Sequence, residues 1–230
     1  MPWTRDRVLA VRDKLPARYQ LVVWLGAGLG LRQGEIFGLS PDDIDFEASE
    51  VHVRRQVKLF SNNRQVFGLP KGRKTRKVPL PDAVRDAITA YMTAYPPREV
   101  ALPWMVVDGK STTVSLLLTS REKKALGRNY FNTFLWRPAL KSAGVPDLRE
   151  NGCHALRHFF ASTALHEGET IKAVSEYLGH ADPGFTLRTY THLMEGSSER
   201  TKRAIDAAFL GKSSNDDDPE SDEEDHEAPR

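Results

Sequence analysis

A single cysteine, Cys153, in a chain of 230 residues leaves no internal disulfide to be made, which fits a reducing compartment. Long apolar runs are missing too. The longest, Leu21 to Leu31, is broken by Gly26, Gly28 and Gly30 and falls far short of the roughly 20 residues that cross a bilayer. No basic-then-apolar leader opens the chain. These absences exclude a disulfide scaffold and a helical membrane protein, and lead us to expect residence in the cytoplasm or on the nucleoid. Acidic residues are scarce except in one place. Residues 213–230 hold nine of the 31 Asp and Glu but only one of the 33 Lys and Arg, Arg230. The remainder carries 32 cations against 22 anions, so a formal charge of +2 conceals a body near +10. Such a body suggests a polyanion partner, although composition alone equally allows a merely solvated surface.

What is present is ordinary for a chain that buries a core: 40% hydrophobic and 28% charged residues. Helical periodicity dominates. Val8, Val11 and Leu15 share one face of a first helix that Thr4 can cap; Tyr19 to Gly28 and Leu31 to Leu39 follow. Residues 44–46, 51–60 and 66–80 alternate between turn signals and predict a small antiparallel sheet of about three strands. Asp82 to Tyr95 predicts a helix stopped by Pro96-Pro97. Residues 101–118 do not resolve between helix and strand. Further helices are expected from a cap at Asn129 to about Ala143, bent or ended early by Pro138, then at 154–167, 171–178, 185–190 and 198–210. Beyond Gly211 no apolar residue exceeds Ala in size, so 211–230 is expected to be an acidic disordered tail. The fold class is mostly α (α+β), with a small sheet inserted after the third helix.

Four groups of residues carry chemistry. In Gly30-Leu31-Arg32-Gln33-Gly34-Glu35, Arg32 and Glu35 are three apart and share a helix face. A guanidinium near an apolar helix needs a carboxylate partner, and an oriented one makes an anion clamp. His154, Arg157 and His158 occupy one helical face. Two His four apart can hold zinc, but Ala155 replaces the expected Glu and Arg157 repels a cation, so a phosphate-facing His and Arg is the stronger expectation. Gly179 ends a helix and leaves His180 in the turn, ten residues before Tyr190. Taken alone, Tyr190 is more readily a packing residue. Pro70 to Lys77 packs Lys71, Arg73, Lys74, Arg76 and Lys77 into eight residues, expected at a hairpin tip, where they either stay solvated or enter a DNA groove.

In this order the five parts (Gly-Leu-Arg-x-Gly-Glu, a basic hairpin ending in Val-Pro-Leu, His-x-Leu-Arg-His, Leu-Gly-His, Tyr) resemble the tyrosine recombinase, or phage integrase, family over about residues 3 to 210. The resemblance implies a catalytic domain over 1–210 with the DNA breaking-rejoining enzyme fold, acting on double-stranded DNA without metal, ATP or other cofactor. It assigns Arg32 and Arg157 to the scissile phosphate, Tyr190 to a 3′-phosphotyrosyl link, and His154 and His180 to the two histidine positions, with His154 expected as general base or proton relay. Lys71 falls on the catalytic lysine, with Lys74 as its rival, and Glu35 on the acidic support of the first arginine. Arg73, Lys74, Arg76 and Lys77 are expected to touch DNA. It further implies a tetramer on DNA, with residues 198–210 docking on a neighbouring protomer, and accessory DNA-bending or directionality factors. Integration or excision of a phage or other mobile element is the expected role. The family's N-terminal clamping domain has no counterpart before Trp3, so a catalytic fragment is expected, and the acidic tail lies outside the family pattern. Two alternatives stay open, a type IB topoisomerase-like enzyme and a DNA-binding regulator that keeps the fold without catalysis.

Overall fold

A computed structural model describes residues 2–180, 182–190, 202 and 205–208. The chain divides into two units, 1–193 and 194–230. In the second, Lys202 and residues 205–208 are helical. The rest of the expected 198–210 helix, and the whole acidic tail, lie outside the described residues.

In the first unit, α1 (Arg5–Lys14) starts where Thr4 Oγ1 accepts from the Arg7 amide at 3.3 Å, the N-cap expected from sequence. The centre is α2 (Leu21–Leu29), with Leu21, Val22, Val23, Leu25 and Leu29 all buried. It packs against α4 (Asp82–Ala94) and α7 (His154–His166). The glycines that interrupt this apolar stretch permit the approach. A Cβ on Gly26 would lie 2.8 Å from Leu156 Cδ1, so α7, which carries half the candidate site, rests directly on the α2 backbone. Next, α3 (Gln33–Phe37) turns the chain toward the strands.

The strands differ from the single sheet expected. Residues 51–60 form two strands, β2 (Glu50–Val53) and β3 (Gln56–Leu59), in different sheets. β2 lies between β1 (Ile44–Asp45) and β5 (Arg76–Pro79), antiparallel to both, with Val51 opposite Val78 and Val53 opposite Arg76. β3 pairs with β4 (Gln65–Gly68), Val57 opposite Phe67. Hence β4 and β5 do not pair, and Lys71 lies on a connection between two sheets rather than on a hairpin tip. At the break, Arg54-Arg55, the Arg55 guanidinium forks onto the buried Asp43 carboxylate at 2.5 and 3.0 Å. The stretch left open by periodicity is a hairpin, β6 (Arg98–Pro103) with β7 (Ser111–Leu116).

Pro138 neither ends nor sharply breaks its helix. α5 (Arg128–Phe131) runs into a π-helical turn, Asn132–Trp136, and then α6 (Arg137–Ser142). The wider turn accommodates a residue that lacks an N–H and crowds the preceding carbonyl. Gly127, not Asn129, is the N-cap. Trp136 stacks on Trp3 at 6.0 Å, and both indole N–H groups donate to Asn151, at 2.9 Å each. That clasp fixes the chain just before α7. Two further helices of this unit are α8 (Ile171–Leu178), capped by Thr170, and α9 (Pro183–Tyr190). Among the described residues no helix is long and apolar enough to cross a membrane.

Candidate functional site

The C-terminal end of α8 gathers the site. Gly179 closes that helix with φ +60°, a left-handed C-cap suited to glycine, and turns the last carbonyls toward three arginines. Arg76 Nε donates to the Tyr177 carbonyl at 2.6 Å. An Arg157 terminal nitrogen donates to the Leu178 carbonyl, and Arg32 donates to the Gly179 carbonyl at 3.3 Å. Guanidinium groups repel one another, but a helix C-terminus carries about half a negative charge. The same carbonyls that α8 leaves without partners therefore hold the cluster together.

Arg157 reaches this end from α7. It is 2% exposed and also donates to the Gly30 carbonyl at 2.7 Å, at the C-cap of α2. Burial, then the nearby Arg32 charge, pushes its pKa down to about 9, so it remains a cation at neutral pH. Arg32 precedes α3 and is half-buried. Its Nη1 donates to Glu35 at 3.0 Å and its backbone N–H to the other carboxylate oxygen at 2.9 Å. Glu35 is 1% exposed. Burial opposes its charge, yet hydrogen bonds and charge from Arg76 and the charge of Arg32 prevail, holding the carboxyl below its ordinary range.

His180, one residue past Gly179, has Nδ1 2.7 Å from the buried Thr186 hydroxyl and its ring edge-on to Phe185. Desolvation, then the charges of Arg157 and Arg32, pushes it down to about 4. His154 lies at the first turn of α7 and opens onto a cleft of about 960 Å³ that Arg32, Lys58, Arg128 and Arg149 also line. Among the described residues no carboxylate lines this cleft. His154 is exposed at the mouth of this cleft with its ring edge-on to His158, and desolvation, followed by charge from His158, Arg157, Arg32 and Lys71, pushes it down to about 4. Both histidines are thus neutral near pH 7.

Tyr190, the last residue of α9, is buried at 4% exposure. Its hydroxyl lies 2.6 Å from His158 Nδ1, not beside His154. The three rings form a row, His154 to His158 at 5.0 Å and His158 to Tyr190 at 5.6 Å. Burial raises the Tyr190 pKa to about 12, with Arg157 opposing. Burial and Arg157 lower that of His158. The pair therefore comprises a protonated phenol and a neutral imidazole able to accept from it. His158 and Tyr190 border a second cavity of about 510 Å³, which Trp3, Asn151 and Ser162 also border.

Sequence reasoning considered His158 only as a metal ligand. Its spacing placed it on the right face, but no signal named its partner. Among the described residues no group of three or more His, Cys, Asp or Glu is arranged to hold a metal ion. Lys71, Arg73 and Lys74 lie exposed on the connection between β4 and β5. Of the two lysines considered for proton donation, Lys71 is the one whose charge bears on His154. Lys77 is exposed and paired with Glu50 at 2.6 Å. Arg76, also expected to touch DNA, is placed differently from its neighbours. Its side chain, 8% exposed, points inward and forks onto Glu35 at 3.0 and 2.7 Å. Alternation across the pleat puts the side chain of Arg76 on the covered side of β5 and that of Lys77 outside.

The model of the phage integrase family matches residues 6–196. A XerC-like tyrosine recombinase of Caldanaerobacter subterraneus is 29% identical over 216 residues, covering 89% of this chain and 54% of the relative. The tyrosine recombinase XerA of Thermococcus kodakarensis is 31% identical over 204 residues, covering 89% and 60%. The chain thus spans about half the length of these relatives. Among solved structures, the Tn1549 transposon integrase in complex with a circular intermediate DNA superposes with a TM-score of 0.70 at 22% identity, over 89% of this chain and 65% of that one.

Proposed function

The chain belongs to the phage integrase family, and on that premise we propose that it is the catalytic part of a site-specific DNA recombinase that works through a tyrosyl-phosphate intermediate. One observation carries this. Two arginines from distant segments, Arg32 and Arg157, converge with His180 on the end of α8, Arg157 shares α7 with His154 and His158, and His158 accepts from the Tyr190 hydroxyl. In the proposed reaction the guanidinium groups neutralise the scissile phosphate as negative charge builds up on its oxygens. His154 and His180, neutral in the free protein, contribute N–H donors.

The Tyr190 oxygen attacks phosphorus. A bond from phosphorus to the tyrosyl oxygen forms while the bond from phosphorus to the 5′ oxygen breaks. The phenolic proton passes to His158 Nδ1, and the 5′ oxygen takes a proton from Lys71. The 3′-phosphotyrosyl link conserves the bond energy, so the freed 5′ hydroxyl of another strand reverses the step. Double-stranded DNA is the proposed partner, received by the acid-free cleft and by Arg73 and Lys74. A tetramer with residues 198–210 docking on the neighbouring protomer, and integration or excision of a mobile element, belong to the same proposal.

A nicked suicide duplex tests it. The parent chain should yield a covalent protein–DNA adduct, and Tyr190→Phe should yield none while binding DNA within a few-fold of the parent. An adduct of undiminished yield in Tyr190→Phe would refute the assignment. Strand exchange without supercoil relaxation separates a recombinase from a topoisomerase.

A further inference from the structure

Arg76 is the third arginine at the end of α8, and nothing in the mechanism above uses it. Its contacts form a closed circuit. Both Nη atoms engage Glu35, one on each carboxylate oxygen, and those same two oxygens accept from Arg32, one from its side chain and one from its backbone N–H. Arg32 continues to the Gly179 carbonyl, and Arg76 Nε returns to the Tyr177 carbonyl two residues earlier. The aliphatic stem of Arg76 closes over Gly179, where a Cβ would lie 3.0 Å from Arg76 Cδ. One planar fork thus ties three elements together: the segment before α3, the end of α8 and the first residue of β5. Lysine has no such fork.

We infer that Arg76 is a positioning residue that orients Arg32 through Glu35 and anchors the Lys71 connection to the arginine cluster. The inference rests on the phosphoryl-transfer role proposed above. Without Arg76, Glu35 keeps a single cationic partner and rotates toward it, and the unpaired edge of Arg32 no longer faces a bound phosphate. Arg76 lies five residues after Lys71, so the same contact fixes where the proton donor's connection ends. Direct DNA contact is a different role and makes a different prediction. A phosphate contact contributes to affinity and to its salt dependence, whereas a residue acting through Glu35 contributes to rate.

The test is single-turnover cleavage of the suicide duplex at saturating DNA by the parent, R76A and R76K. Each is also given a duplex whose scissile phosphate is a methylphosphonate, and thermal unfolding is recorded for all. The methylphosphonate is uncharged, so charge neutralisation by a correctly aimed Arg32 counts for less. Misplacement of this kind slows cleavage by up to about 100-fold. Both variants should show a loss of that order on the phosphate, with dissociation constants and salt slopes close to those of the parent. On the methylphosphonate the deficit should shrink, as it should for Arg32→Ala. Arg73→Ala should show the opposite split, weaker binding with a shallower salt slope.

Parental cleavage by R76K would overturn the inference. So would a deficit of equal size on both substrates, which marks a loss of structure alone, or a salt slope reduced by about one with cleavage at saturation unchanged, which marks a phosphate contact. If R76A does not fold, R76K decides, because it retains a buried cation. Failure of the parent chain to form any adduct would instead refute the underlying recombinase proposal.

Discussion

Replacing Glu35 by Gln probes the arginine cluster without changing its volume. The carboxylate accepts four hydrogen bonds, two from Arg32 and two from Arg76, at 2.7 to 3.0 Å. Glutamine keeps one oxygen, places an NH₂ donor against guanidinium donors and leaves Arg32 and Arg76 without an anion. Removing one partner of a buried ion pair costs about 3–5 kcal/mol. In a domain of this size that lowers the melting temperature by about 6–20 °C. The effect depends on pH with a definite sign. The Glu35 pKa lies below its ordinary 4.5, so its stabilisation is complete above that value and disappears as pH falls through the lower folded-state value. Melting curves followed by circular dichroism should show a constant gap between parent and Glu35→Gln from pH 8 to 5. The gap should narrow progressively below pH 4.5. An unchanged melting temperature at pH 7, or a gap that persists in acid, would show that the carboxylate does not hold the two cations.

His158→Phe keeps the aromatic row and removes the acceptor of the Tyr190 proton, so adduct formation should slow by about 10²-fold or more at unchanged DNA affinity; parental rates would leave the 2.6 Å contact without a catalytic role. Lys71→Ala should recover most of its lost rate on a duplex whose 5′ bridging oxygen is sulfur, a leaving group that needs no acid, while Lys74→Ala should show no such recovery. The reverse pattern would move the proton donor to Lys74. Gly179→Ala places a Cβ at φ +60° and against the Arg76 stem, at a cost of about 1–2 kcal/mol for the backbone alone. It should also slow cleavage, and a variant with the parent's stability and rate would show that the α8 cap tolerates a side chain.

The helices were legible because each buries one face, most of them in the main core and α8 and α9 in a smaller cluster with Ala161 and Leu165. The period of Val8, Val11 and Leu15, the Thr4 cap and the stop at Pro96 are local facts. The strands were not legible in their pairing. β5 joins β2 across two intervening strands, and nothing within residues 66–80 specifies that partner. Where 51–60 divides, Arg55 pairs with Asp43, twelve residues away, a contact that no local pattern announces. At the site, the run from Lys71 to Lys77 identifies cations but not their direction. Only pairing β5 with β2 shows that Arg76 turns inward and Lys77 outward. His158 illustrates the same limit, since helical spacing gives its face while its partner comes from α9.

The arrangement at the end of α8 also shows what attracts three guanidinium groups to one place. Three guanidinium groups bring a charge of about +3; Glu35 and the helix terminus return about −1.5. The site is assembled yet left positive by roughly one and a half charges. In the proposed reaction a phosphodiester carries about −1 and the transition state of attack by Tyr190 approaches −2, so the residual charge lies midway between what is bound at the start and what develops. Glu35 therefore has two opposed effects. It orients Arg32, and it removes part of the cationic charge that a phosphate would otherwise meet. A second carboxylate at this position would assemble the arginines as well and leave almost nothing for the phosphate. The single buried acid, with the carbonyls of Tyr177, Leu178 and Gly179 supplying the remaining attraction, holds the clamp in place while keeping it short of neutral.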